Sequence, residues 1–67
     1  MYIVKLNFAG DYKKFGFNRF KDAIDCAIKN HRQFSELTDS SGTLFYNRIN
    51  ADGIGGYDLM LECERLG

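Results

Sequence analysis

The chain opens on a strict alternation. Tyr2, Val4, Leu6 and Phe8 fall on one side and Ile3, Lys5 and Asn7 on the other. A period of two in β-branched and aromatic residues predicts a strand over 2–8 with one buried face. Gly10-Asp11 breaks the pattern. Residues 12–17, Tyr-Lys-Lys-Phe-Gly-Phe, mix aromatic and basic side chains without a clean period and read as a loop or a short strand. The period then changes. Phe20, Ala23, Ile24, Ala27 and Ile28 recur at three- and four-residue spacings, which is one face of a helix over 19–30. Asn18 is placed to cap its first turn. Asp25 and Lys29 stand four apart in the favourable acid-first order. Lys29, His31 and Arg32 suit the negative end of the helix dipole, and Asn30 suits a left-handed closing residue.

Residues 33–38 and 43–49 read as two strands around Asp39-Ser40-Ser41-Gly42, where Asp and Ser favour turn conformations and Gly42 supplies a positive φ. The glycine-rich stretch 50–56 interrupts any regular element. In residues 57–66 two patterns compete. As a strand, Tyr57, Leu59, Leu61 and Cys63 share a face; as a helix, Leu59, Met60, Cys63 and Leu66 do. The strand accommodates slightly more residues. The expected fold is therefore α+β: an antiparallel sheet of three or four strands with one helix on one face, in the order β-α-β-β-(β), as a single domain over 1–67. Its expected core is Val4, Leu6, Phe8, Phe20, Ala23, Ile24, Ala27, Ile28, Phe34, Leu37, Phe45 and Leu61. Tyr12, Phe15, Phe17, Tyr46 and Tyr57 are left without an obvious place in it, and spare aromatics mark contact sites.

Composition narrows the class. With 67 residues, 45% hydrophobic and 27% charged, the chain is globular and has room for one domain. No apolar run approaches a membrane span, and Lys5 and Asn7 interrupt the first apolar stretch, so no secretory signal is expected there. The nine Lys and Arg balance nine Asp and Glu, which argues against a generic polyanion binder. The balance hides a split. Residues 1–34 carry seven cations against three acids, a net +4, and residues 35–67 carry two against six, a net −4. Such asymmetry points to directional binding unless the halves interleave in space. Cys26 and Cys63 form no metal-binding spacing, and a single His does not complete a zinc site. Reduced thiols in a cytoplasmic protein, with no metal and no cofactor, are expected.

The segment from Lys13 to Lys21 holds four cations and three phenylalanines without an acid. Aromatic faces that stack bases beside cations that meet phosphates are the chemistry of single-strand binding. Lys13, Phe15, Gly16, Phe17 and Phe20 resemble the first ribonucleoprotein motif of RNA-recognition and cold-shock domains, with Val4-Lys5 similar to the lead-in strand of the latter. The resemblance implies single-stranded nucleic acid as a ligand. It departs from the motif at Lys14, where Gly is usual, and at Asn18, where an apolar residue is usual. The second aromatic motif is missing, because Arg32 and Gln33 separate His31 from Phe34.

Other motifs carry less. Gly53-Ile54-Gly55-Gly56 lacks the lysine that grips phosphate in a nucleotide loop. Arg48 and Leu59 occupy the positions where a calcium loop needs acids, so residues 50–56 read as turn chemistry. His31 reads as a dipole partner at a helix end, and Ser35, Ser40 and Ser41 have no base and acid to activate them. Cys26 lies off the apolar face of the helix and is expected to be an accessible thiol, its pKa lowered by Lys29.

The expected function is a non-enzymatic protein-binding module: a regulator, adaptor or inhibitor that occludes a partner surface. Small accessory proteins of phages and plasmids offer an analogy of size alone. The preferred contact residues are Tyr12, Lys13, Lys14, Phe15, Phe17 and Arg19, and an acidic face of Glu36, Asp39, Glu62 and Glu64 is the second choice. Single-stranded nucleic acid through residues 12–21 is the alternative partner, no membrane is expected, and a homodimer through an edge strand is a further option.

Overall fold

In the computed structural model, residues 1–51 are described. The opening alternation forms β1, Tyr2–Phe8, and the chain at once returns as β2, Asp11–Phe17. Ala9 and Gly10, with φ of 55° and 91°, make the two-residue turn between them. Two consecutive positive φ values match a type I′ turn, whose twist suits the strands it joins. The Asn7 side chain accepts a hydrogen bond from the Gly10 amide (2.7 Å) and steadies the turn. Of the two readings of residues 12–17, the strand is the one formed: they belong to a seven-residue strand, paired throughout from Tyr2 with Phe17 to Phe8 with Asp11. The element order runs β-β-α-β-β, with one strand more before the helix than the sequence pattern indicated.

The helix α1 spans Phe20–Lys29. Its N-cap is Arg19, not Asn18, and no side chain caps it. Arg19 instead sets its Nε 3.4 Å from the Asp22 carboxylate, an acid placed in the first turn where the helix dipole favours it. At the other end Asn30 does not enter the left-handed region (φ −117°); its main-chain and side-chain amides both donate to the Cys26 carbonyl. Asp25 and Lys29 do not form an ion pair among the described residues.

Strand β3, Phe34–Asp39, pairs antiparallel with β1, and β4, Leu44–Asn47, pairs antiparallel with β3. The sheet order is β2-β1-β3-β4, so the fold is α+β: a four-stranded antiparallel sheet with one helix against it. The Asp39 turn forms as the sequence indicates, with Gly42 at φ 91°. Strand β4 ends earlier than expected, because the Asn47 carbonyl oxygen of the side chain accepts from the Asn50 amide (3.0 Å) and starts the short helix α2, Arg48–Ala51. The strand or helix expected over 57–66, and the loop motifs of residues 52–56, lie outside the described residues.

A β-bulge decides the core. Phe34 and Leu37 are three apart and in a regular strand would face opposite ways. Leu37 pairs with Val4 but Phe34 pairs with Leu6, so Ser35 is the extra residue and both apolar side chains reach the helix. They join Val4, Leu6, Ala23, Ile24 and Ala27 as the buried core. Each large side chain there contributes about 1.5–3 kcal/mol of transfer free energy. A second irregularity frees Phe45 from the ladder, and its ring packs with Tyr2 (5.7 Å) and Phe20 (5.3 Å) at one end of the helix. Phe17, Phe20, Ile28 and Tyr46 flank the core. Phe8 and Phe45, expected inside, are more than a third exposed, since one is the last residue of its strand and does not pack on the core and the other sits on an edge strand. Phe17 and Tyr46, expected to be spare, pack against the core. Tyr57 and Leu61 lie outside the described residues.

Candidate functional site

The phase of the hydrogen bonds shows which main-chain groups remain free. The Asn7 amide donates to the Gln33 carbonyl (2.7 Å), and the Met1 carbonyl accepts from the Ser40 amide (3.0 Å), both toward the β3 side. Odd-numbered residues of β1 therefore direct their main chain to β3, and Tyr2, Val4, Leu6 and Phe8 direct theirs to β2. Across the hairpin these meet Phe17, Phe15, Lys13 and Asp11. Tyr12, Lys14 and Gly16 are left pointing their amides and carbonyls away from the sheet. Among the described residues nothing hydrogen-bonds to those groups. Strand β2 is an edge, and six of its seven residues are exposed.

The same register separates the sequence-predicted contact residues. Tyr12 and Lys14 share a face with Lys5, the face away from the helix. There the Lys5 ammonium sits 4.5 Å from the centre of the Tyr12 ring and 3.9 Å from the Glu36 carboxylate. Lys14 stands directly opposite Lys5 and has no carboxylate within ion-pair distance among the described residues. Lys13, Phe15 and Phe17 share the helix side, with the Lys13 ammonium 5.7 Å from the centre of the Phe8 ring. Tyr12 is 53% exposed and Phe15 41%, so both apolar flanks of the edge meet water, while Phe17 is half-buried. Arg19 lies past the end of β2, held to Asp22.

Beside Phe17, an open groove of about 500 Å³ runs between β2 and α1, lined also by Asp22, Asp25, Cys26, Lys29 and Asn30. Cys26 is not the freely accessible thiol expected. It is half-buried against the core, and burial raises its pKa above the usual 9.0, while Asn30 and Lys29 only partly offset the rise.

The second-choice acidic residues are not brought together. Glu36 faces away from the helix and pairs with Lys5. Asp39 has the opposite parity, and its Oδ1 is engaged by the Ser41 and Thr43 amides and the Ser41 hydroxyl. Glu62 and Glu64 lie outside the described residues. The Lys5–Glu36 contact also shows that the basic and acidic halves of the chain interleave at the sheet. No helix of the described residues is long and apolar enough to cross a membrane. Comparison with protein-family models, with curated proteins and with solved structures found no match to this chain.

One signal in the sequence could have located the edge. Ala9-Gly10 separates two runs of seven residues, each able to pair with the other, which is hairpin spacing with glycine in the turn.

Proposed function

We propose that this chain is a non-enzymatic protein-binding module, a small regulator, adaptor or inhibitor that engages its partner along the free edge of β2. The supporting observation is the edge itself: Tyr12, Lys14 and Gly16 offer amides and carbonyls that no described residue pairs with, and the exposed Tyr12 and Phe15 side chains stand on its two flanks. An unprotected strand edge is a template for another chain, and main-chain pairing there supplies affinity while the flanking side chains supply selectivity.

Single-stranded nucleic acid is the competing reading, favoured by the cations of residues 13–21 and the Tyr12 ring beside Lys5. Stacking on a sheet needs several aromatics on one open face. The register sends Phe15 and Phe17 to the helix side and leaves Tyr12, of the β2 aromatics, alone on the other, so the geometry supports a protein partner better.

Affinity capture from the source cell with wild type, Lys14→Pro and Lys14→Gln tests the reading. Proline is tolerated on an edge strand where the amide faces outward, yet it removes that donor. The expected result is a partner held by wild type, held less by Lys14→Gln, and lost on Lys14→Pro with the circular-dichroism spectrum unchanged. Phe15→Ala should weaken the same partner, with little dependence on salt. A partner indifferent to Lys14→Pro would sink the proposal. So would oligonucleotide binding at low salt that disappears as salt rises or as Lys13 and Lys14 are neutralised.

A further inference from the structure

We infer that the segment docking on β2 is an extended acidic peptide, added antiparallel to the sheet with a carboxylate opposite Lys14. The inference rests on the proposed function and supplies the partner's chemistry.

The phase of the edge limits what can pair with it. An added antiparallel strand must set its own inward-facing residues against Tyr12, Lys14 and Gly16. For a second copy of β2, the one register that uses all three puts Tyr12 against Gly16 and Lys14 against its own copy. Two ammonium groups directly opposed destabilise such a pair. The lysine that disfavours a homodimer also selects a different strand. Its cross-strand neighbour on the inner side is Lys5, whose charge Glu36 already engages, so Lys14 presents a cation at the rim that no acid among the described residues compensates. Lys13 does the same on the helix side, where its ammonium meets the Phe8 ring and no acid among the described residues. Asp11 closes the strand with the opposite sign.

The edge thus reads minus, plus, plus along Asp11, Lys13 and Lys14, followed by the apolar positions Phe15 and Phe17, of which Phe17 lines the groove. The complementary strand, taken from its own N-terminus, is apolar opposite Phe17 and Phe15, acidic opposite Lys14 and Lys13, aromatic opposite Tyr12 and basic opposite Asp11. At Gly16 the Met1 thioether fills the space where a side chain would begin, a Cβ there meeting it at 2.7 Å, so the edge sets no charge requirement on the residue opposite.

The probe is the peptide acetyl-Val-Thr-Val-Glu-Glu-Tyr-Lys-amide, with acetyl-Val-Thr-Val-Lys-Lys-Tyr-Glu-amide as its charge-reversed control. Both are titrated into the full chain and followed by amide NMR shifts and hydrogen exchange. The acidic peptide is expected to bind about tenfold more tightly than the control, since three cross-strand charge pairs, at Lys14, Lys13 and Asp11, change sign. It should slow exchange at Tyr12, Lys14 and Gly16, and Lys14→Glu should shift the preference toward the reversed peptide. Equal binding, no binding by either peptide, perturbation away from the edge, or a concentration-dependent dimer that already protects those amides would overturn the inference. Failure of the two readings can be told apart. A cellular partner lost on Lys14→Pro that docks no acidic extended segment overturns the inference alone, whereas a partner indifferent to Lys14→Pro overturns the proposed function with it.

Discussion

Asp39 holds the β3–β4 turn with a single oxygen, which accepts from the Ser41 hydroxyl (2.7 Å) and from the Thr43 (2.8 Å) and Ser41 (2.9 Å) amides. The Ser41 hydroxyl bond, then the Thr43 amide, hold the carboxyl below its ordinary value of 3.8. Because folding favours the ionised form, the stabilisation is fully present above the unfolded-chain pKa and is lost as pH falls through the lower folded value. Asp39→Asn should therefore melt below wild type at neutral pH, and the gap should close on acidification to about pH 2; a gap that stays constant contradicts the assignment. At the other hairpin, Ala9 adopts a positive φ that costs a side-chain-bearing residue about 1 kcal/mol. Ala9→Asn should raise stability in denaturant titrations by up to about 1 kcal/mol, and Gly10→Ala should lower it by a similar amount. The half-buried Cys26 thiol should react with iodoacetamide near pH 8 several-fold more slowly than free cysteine, measured in a Cys63→Ser background. The Asp39 turn was legible from residue types alone. The Cys26 environment was not, because its burial comes from the partners α1 packs against rather than from its place on the helical wheel.

At the scale of elements, strand β1 and helix α1 were the most readable, since each writes one clean period along its own sequence. Strand β2 was obscured by its position: at an edge, neither face must be wholly apolar, so Lys13 and Phe15 share one side and Tyr12, Lys14 and Gly16 the other. In β3 the core residues Phe34 and Leu37 were named from the sequence, but the bulge at Ser35 that brings both to one face was not, because one extra residue reverses every side chain beyond it. For the candidate site, the sequence pointed to the segment that forms the edge strand but not to its geometry. A loop could have brought Tyr12, Lys13, Lys14, Phe15 and Phe17 to one surface; a strand divides them between two. Lys14 carries a consequence for self-association. Replacing it with Val removes the like-charge opposition along the edge while keeping high strand propensity. Sedimentation across a concentration series should show Lys14→Val more associated than wild type, and equal behaviour would mean the lysine does not guard the edge.

For the molecule as a whole, the seven buried residues among those described carry the core, and the proposed binding edge lies outside them. That separation predicts different costs for two truncations. Ile24→Ala, at a fully buried site, should cost about 3 kcal/mol, a large part of the stability of so small a domain. Phe15→Ala should cost less than about 1 kcal/mol in thermal or chemical unfolding and act on binding instead. The balanced net charge conceals the arrangement, since Lys5 and Glu36 cancel across β1 and β3 while Lys13 and Lys14 remain uncompensated at the rim among the described residues. The most direct test of the central claim needs only the free protein. Amide hydrogen exchange of the full chain should alternate along β2, with Lys13 and Phe15 protected by β1 and Tyr12, Lys14 and Gly16 exchanging near the rate of an unstructured chain. Uniform protection across residues 12–16 would mean the edge is already covered, and the account of an open binding strand would be wrong.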